Sequence, residues 1–169
     1  MSEPTPRQQQ VAAFIAALER LDNAGRARLK RNAGRALHEA RDVQRVFVQA
    51  LPPAIAGRPE EEIYFLVATL YPLAKARDDG ASLGATLRAV RQLRGNESLD
   101  RRFQALLDSD AEQLRFRARQ AVRLAAASEQ RIDWGRLLSD LLAWEHPDRY
   151  VQLRWARDYF VGQPATVSS

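Results

Sequence analysis

Apolar residues recur at helical spacing along almost all of this chain, and nowhere is a two-residue alternation sustained as a half-buried strand would need. That property confines the fold to packed helices. Thr5-Pro6-Arg7-Gln8 supplies a capping hydroxyl, a proline at the first helical position and a glutamine able to close a capping box. Val11, Phe14, Ile15, Leu18 and Leu21 follow as one apolar stripe. A second helix is predicted from near Gly25, with Leu29, Ala33, Ala36, Leu37 and Ala40 on its inner side, running on or kinking into residues 43–50. Leu51-Pro52-Pro53 stops it, and residues 54–58 read as a loop. Pro59 followed by Glu60, Glu61 and Glu62 marks a helix start, with acids set against the positive end of the dipole. From Ile63 onward apolar residues cover nearly all sides, as expected of a central, buried helix.

Asp78-Asp79-Gly80 is a clear loop, and beyond it the spacing predicts helices over about 83–94, 98–108, 111–127, 134–145 and 147–161. Asp133 is placed to cap the helix that carries Trp134, Leu137, Leu138, Leu141 and Leu142, and Pro147 to restart the chain after His146. The class is all-α, a compact bundle of about eight or nine helices forming one domain over residues 1–169. Two packed lobes, about 1–80 and 81–161, are the subdivision this length allows, with residues 162–169 a frayed polar tail.

Most chemistry is closed off. With no cysteine, the chain offers no disulfide scaffold, zinc thiolate or thiol nucleophile. Its two histidines, His38 and His146, are too few for a three-histidine metal site. His38-Glu39-Ala40-Arg41-Asp42 begins like a zincin helix but lacks the second histidine four residues on. Gly80-Ala81-Ser82-Leu83-Gly84 fits a G-x-S-x-G nucleophile elbow, followed by Asp133 or Asp140 and then His146 in hydrolase order. That pattern needs a strand before the serine, and Lys75-Ala76-Arg77-Asp78-Asp79 is not one. Ser82 as a helix N-cap accounts for the same letters. The chain reads as a non-enzyme with no cofactor, metal or small-molecule substrate. The opening MSEPTPRQQQ lacks an apolar segment, and the longest apolar run, residues 63–74, falls short of the ~20 residues of a membrane span. A soluble, cytoplasmic protein without a membrane partner is expected.

What remains is charge. The sequence has 26 Lys+Arg against 21 Asp+Glu, a formal net charge of +5, and every basic residue except Lys30 and Lys75 is arginine. Arginine is weakly hydrated, forks onto phosphates and stacks on flat rings, which suits nucleic acid or acidic protein partners. GC-rich coding explains the total equally well but not the clustering. Arg20, Arg26, Arg28, Lys30, Arg31 and Arg35 share their stretch with Asp22 alone, and Arg28, Arg31 and Arg35 fall at i, i+3 and i+7. Arg101 and Arg102 open a helix whose inner side is Leu99, Phe103, Leu106 and Leu107. Arg115, Arg119 and Arg123 form a row beside Leu114, Ala118, Ala121 and Ala125, with no acid anywhere in residues 114–127. Like charges so spaced repel unless something anionic lies along them. A fourth group, Arg149, Arg154 and Arg157, is interleaved with acids. Trp134, Trp144 and Trp155 are candidate stacking rings, but among leucines at helical spacing they read as core. The plain reading is a set of solvated faces with cross-helix ion pairs; the sharper one is a groove that tracks a nucleic-acid backbone without reading bases. No recognition-helix signature is visible.

Ser98-Leu99-Asp100-Arg101-Arg102-Phe103-Gln104-Ala105-Leu106-Leu107, then Arg119-Gln120-Ala121-Val122-Arg123-Leu124, resemble the small subunit of the type I-E CRISPR Cascade complex, the CasB family. The run from Ile132-Asp133-Trp134-Gly135-Arg136 to Trp144 is similar to it too, as are His146-Pro147-Asp148-Arg149-Tyr150 and Trp155-Ala156-Arg157-Asp158-Tyr159-Phe160. Upstream, Leu21-Asp22-Asn23, Leu29-Lys30-Arg31 and Ser82-Leu83-Gly84 fit, while residues 51–77 match least. The resemblance implies an all-helical, non-catalytic subunit, in two head-to-tail copies lining a crRNA-guided complex between its repeated backbone subunit and its large subunit. It also implies a basic surface that holds the DNA strand displaced when guide RNA pairs with its target, so stabilising the R-loop. Carried over by position, that role falls on Lys30, Arg31, Arg101, Arg102 and Arg119; the arginine spacing adds Arg28, Arg35 and Arg123. The expected partners are single-stranded DNA, the other Cascade subunits with their crRNA, and a second copy of the chain. The alternative is a helical interaction module whose arginine faces dock acidic partner surfaces without touching nucleic acid.

Overall fold

The computed structural model describes residues 2–95 and 97–162, which form nine α-helices joined by turns. Helix α1 (Pro6–Glu19) opens with the expected capping box, the Thr5 amide donating to Gln8 Oε1 at 2.8 Å and the Gln8 amide to Thr5 Oγ1 at 3.2 Å. It buries Val11, Phe14 and Leu18. Helix α2 (Asn23–Arg31) is capped by Asp22, whose carboxylate accepts from the Gly25 amide at 2.7 Å.

Helix α2 is shorter than its apolar spacing predicts. Asn32 caps it, donating from its side-chain amide to the Arg28 carbonyl at 2.8 Å and to Asp42 at 3.0 Å. Gly34 then takes φ +80°, a left-handed conformation that glycine adopts without the steric cost a Cβ brings. Tight turns at Leu37–Glu39 and Arg41–Val43 lead into α3 (Gln44–Ala50). Ala33, Ala36 and Ala40 are buried as expected, but from turns and not from one helix face. Arg35 therefore lies off the helix, and the predicted row of Arg28, Arg31 and Arg35 does not exist as a helical stripe.

Helix α4 (Glu61–Leu70) is the central one, buried from Tyr64 through Leu70. Tyr64 meets Phe14 edge-on at 4.9 Å and Phe65 meets Phe47 at 5.0 Å, tying α1 and α3 to it. The second half contains α5 (Leu83–Arg94), α6 (Glu97–Leu107), α7 (Ala111–Ala127), α8 (Trp134–Leu142) and α9 (Tyr150–Phe160). Among the described residues there is no strand, only an isolated bridge between Ala76 and Ile132. Helix α8 stops short of the expected 145 and α9 begins after the expected 147. Between them the His146 ring nitrogen accepts from the Asp148 amide at 3.1 Å and Arg149 turns left-handed.

Helices α5 and α9 make the most extensive helix pair. Gly84 permits it: a Cβ there would stand 2.4 Å from the Trp155 carbonyl oxygen. Ser82 caps α5, accepting from the Ala85 amide, and its hydroxyl donates to Asp158 of α9 at 2.5 Å. All nine helices contribute to one connected apolar core, in which Trp134, Trp144 and Trp155 are all buried. No described helix is long and apolar enough to cross a membrane. Of the expected tail, residues 163–169 lie outside the described residues.

Candidate nucleic-acid interface

The arginines divide into those that hold the fold and those that face outward. Arg88 donates to the Tyr159 carbonyl at 2.9 Å, Arg117 to the Ala105 carbonyl at 2.7 Å and Arg149 to the Leu107 carbonyl at 2.8 Å. Arg91 pairs with Asp100 at 3.0 Å and Arg136 with Asp140 at 3.0 Å. Asp140 also accepts from the Trp155 indole at 2.7 Å, and burial pushes its carboxyl above the ordinary range despite these partners. Burial and the neighbouring Asp100 push the Tyr159 phenol up, so it remains a donor to Asp100 at 2.5 Å. These side chains stitch α5, α6, α7, α8 and α9 together and are not available to a ligand.

The candidate residues belong to the other set. Arg28, Lys30, Arg35, Arg101, Arg102, Arg119 and Arg123 form no ion pair among the described residues, and Arg31 only a loose one with Asp42 at 4.0 Å. Most of them come from three elements that touch one another. The turn after α2 lies against α7, where a Cβ on Gly34 would stand 3.0 Å from Arg119 Cδ and 3.5 Å from the Arg115 carbonyl oxygen. Arg31 and Arg35, on either side of this turn, are exposed, Arg35 donating to Asn32 Oδ1 at 3.4 Å, and along α7 Arg123 follows Arg119 by one helical turn. On its other flank α7 meets α6, where Arg102 shares a cavity of about 90 Å³ with Arg117 and Gln120 of α7. Arg101 is exposed on the outer side of α6. The order across the surface is the α2 turn, then α7, then α6.

Two candidates sit apart from that strip. Lys30 shares a flank of α2 with Arg26, whose guanidinium covers the Tyr71 ring at 5.5 Å. Arg28 lines a separate open groove with Arg20 and Gln49, between α2 and α3. The Nε of Arg119 is buried without an acceptor, its stem being packed against the Gly34 turn. Phe116, which the arginine pattern did not single out, is 58% exposed on the outer face of α7.

The elbow-like letters around Ser82 have a structural use, since this serine is fully buried and committed to a cap and to Asp158. No group of three or more His, Asp or Glu able to hold a metal occurs among the described residues. Fold and surface thus define a class: an all-helical scaffold that displays unpaired guanidinium groups from several elements. The family is established by comparison. The sequence model of the CRISPR-associated protein Cse2 family matches residues 25–160, and the chain belongs to that family. A curated relative, the CRISPR-associated protein Cse2 of Thermus thermophilus, is 48% identical over 103 residues, covering 60% of this chain and 57% of its own length. The crystal structure of CasB from M. ruber superposes with a TM-score of 0.77 at 32% identity, over 95% of both chains. A chain of a CRISPR RNA-guided surveillance complex shares the fold, with a TM-score of 0.74 at 24% identity over 90% of this chain and 92% of that one.

Proposed function

We propose that this protein is a non-catalytic subunit of a crRNA-guided Cascade complex, holding the displaced DNA strand through sequence-independent phosphate contacts and so stabilising the R-loop. The observation that carries this reading is the strip of outward arginines contributed by the α2 turn, α7 and α6, none of them firmly held by a carboxylate. Arg31, Arg35, Arg101, Arg102, Arg119 and Arg123 form the track, and Lys30 and Arg28, apart from it on α2, offer secondary phosphate contacts. Likeness to a surveillance-complex chain and to CasB supports the assembly context. Other Cascade subunits, the crRNA they carry and a second copy of the chain are the protein partners in this reading, and the cytoplasm is where they meet. Exchanging a DNA duplex for a guide heteroduplex is nearly balanced in free energy, so modest contacts to the freed strand suffice to tip it.

The test is charge reversal at both ends of the strip, Arg31→Glu with Arg102→Glu. Affinity for single-stranded DNA is expected to fall about equally on every sequence. Loss confined to one sequence would exclude backbone tracking. An isolated wild-type protein that shifts no DNA, paired with a variant that no longer co-purifies with its complex, would instead assign these arginines to acidic protein surfaces.

A further inference from the structure

Among the described residues three aromatic side chains are substantially exposed, and one of them stands alone. Tyr150 has the His146 ring edge-on at 5.0 Å and the Arg154 guanidinium over its face at 5.4 Å. Phe160 packs on Tyr159 at 4.7 Å and on Phe103 at 5.8 Å. Phe116, at 58% exposed, has neither a ring nor a cation against it among the described residues. An unpartnered phenyl ring held in water forgoes the stabilisation that burial would give it. Its position is equally unusual: Arg119 and Arg123 follow at i+3 and i+7, on the same side of α7. The α2 turn flanks it through Arg119, and α6 flanks it through Gln120 and Arg102.

We propose that Phe116 is the platform on which a base of the bound single strand stacks, its neighbouring phosphates lying on Arg119 and Arg123; this rests on the single-strand track argued above. Single-strand binding sites combine a cationic path for the backbone with aromatic faces for the bases, because every base offers a π-face whatever its sequence. One helical turn, about 5.4 Å, separates successive side chains on this ridge, so a ring and a guanidinium one turn apart can engage one nucleotide each. A protein partner fits the site less well. Protein interfaces use contiguous apolar patches, and no other large apolar residue of α7 is exposed. The exposed positions around the ring are Glu112, Gln113, Gln120 and Arg123.

The experiment compares the full chain and its Phe116→Ala, Phe116→Leu and Phe116→Trp variants on an oligothymidylate strand and on an abasic strand of equal length, across a salt series. Phe116→Ala and Phe116→Leu are expected to lose roughly 5- to 150-fold in affinity for the oligothymidylate. Their salt slopes and their affinity for the abasic strand should match the wild type. Phe116→Trp should restore binding, with its indole fluorescence quenched by thymidylate and not by the abasic strand. Wild-type binding with a steep salt slope that Phe116→Ala leaves unchanged would overturn the stacking role while sparing the phosphate track. An equal loss on both strands would overturn it too, as would intact DNA affinity in a Phe116→Ala protein that no longer co-purifies with its complex. A wild type that binds neither strand would overturn the track and the platform together. Alanine favours helix, so thermal melting of Phe116→Ala is expected to match the wild type.

Discussion

Asp140 is the carboxylate on which the second half of the molecule turns. It is 5% exposed and accepts from the Arg136 guanidinium on its own helix and from the Trp155 indole on α9. Asp140→Asn puts an amide donor where Arg136 and Trp155 both need an acceptor, so a loss of about 1–3 kcal/mol is expected in urea unfolding at neutral pH. The pH dependence has a definite sign. Burial, the largest influence, raises the folded pKa above the ordinary value of 3.8, so between those values the folded chain holds a proton that the unfolded chain has released. Stability from this group therefore declines as pH rises through that interval and is flat above it. The wild-type advantage over Asp140→Asn should shrink from acid toward neutral pH. An advantage that grows instead would show that Arg136 and Trp155 outweigh burial. The capping roles of Thr5, Ser82 and Asp133 were legible at this scale, because a small polar side chain before an apolar period has one dominant local use. The partners of Asp140 were not, since a tryptophan fifteen residues away is a tertiary neighbour with no sequence signature.

Helix-helix spacing depends on glycines in a way that propensity alone gets backwards. Gly84 sits inside α5, where an alanine would ordinarily gain about 1 kcal/mol of helix stability. Here the added methyl would meet the Trp155 carbonyl oxygen at 2.4 Å and its Cα at 2.9 Å, and both are backbone atoms that cannot swing away. Gly84→Ala is expected to destabilise by about 1–3 kcal/mol or more through overpacking, read as a lower urea midpoint. A more stable variant would mean that α5 and α9 separate without loss. The helices themselves were largely legible: the stretches over 83–94 and 111–127 coincide with α5 and α7, and the central character of α4 followed from its all-round apolar sequence. The second helix was overrun because Ala33, Ala36, Leu37 and Ala40 keep a helix-like apolar spacing, and that spacing outweighed the stop encoded by Asn32 and Gly34. That same turn brings Gly34, between Arg31 and Arg35 in the chain, against Arg119 of α7, so the overrun hid the contact that joins the α2 turn to α7. Phe116 was legible in principle, falling on the arginine side of α7 and away from Leu114 and Ala118.

A formal charge of +5 is a modest total for a protein that must compete for a polyanion, and the proposed function depends on where the charge lies. Six of the acids are engaged elsewhere: Asp100, Asp140 and Asp79 pair with Arg91, Arg136 and Arg77, and Asp22, Asp110 and Asp133 cap helices. Their engagement leaves the strip over the α2 turn, α7 and α6 with more cationic character than the total implies. Counterion release makes this measurable, because each phosphate neutralised on a single strand contributes about −0.7 to the slope of log affinity against log salt. If roughly five guanidinium groups each meet one phosphate, the slope should be near −3.5. Arg102→Gln should make it shallower by about 0.7, and to the same extent on every sequence. Arg91→Gln, which removes a cation of the structural set, should lower stability and leave the slope alone. A wild-type slope shallower than about −1 would mean that no more than one or two phosphates are held. A strip so weakly engaged could not tip a near-balanced strand exchange, and the outward arginines would then belong to protein contacts.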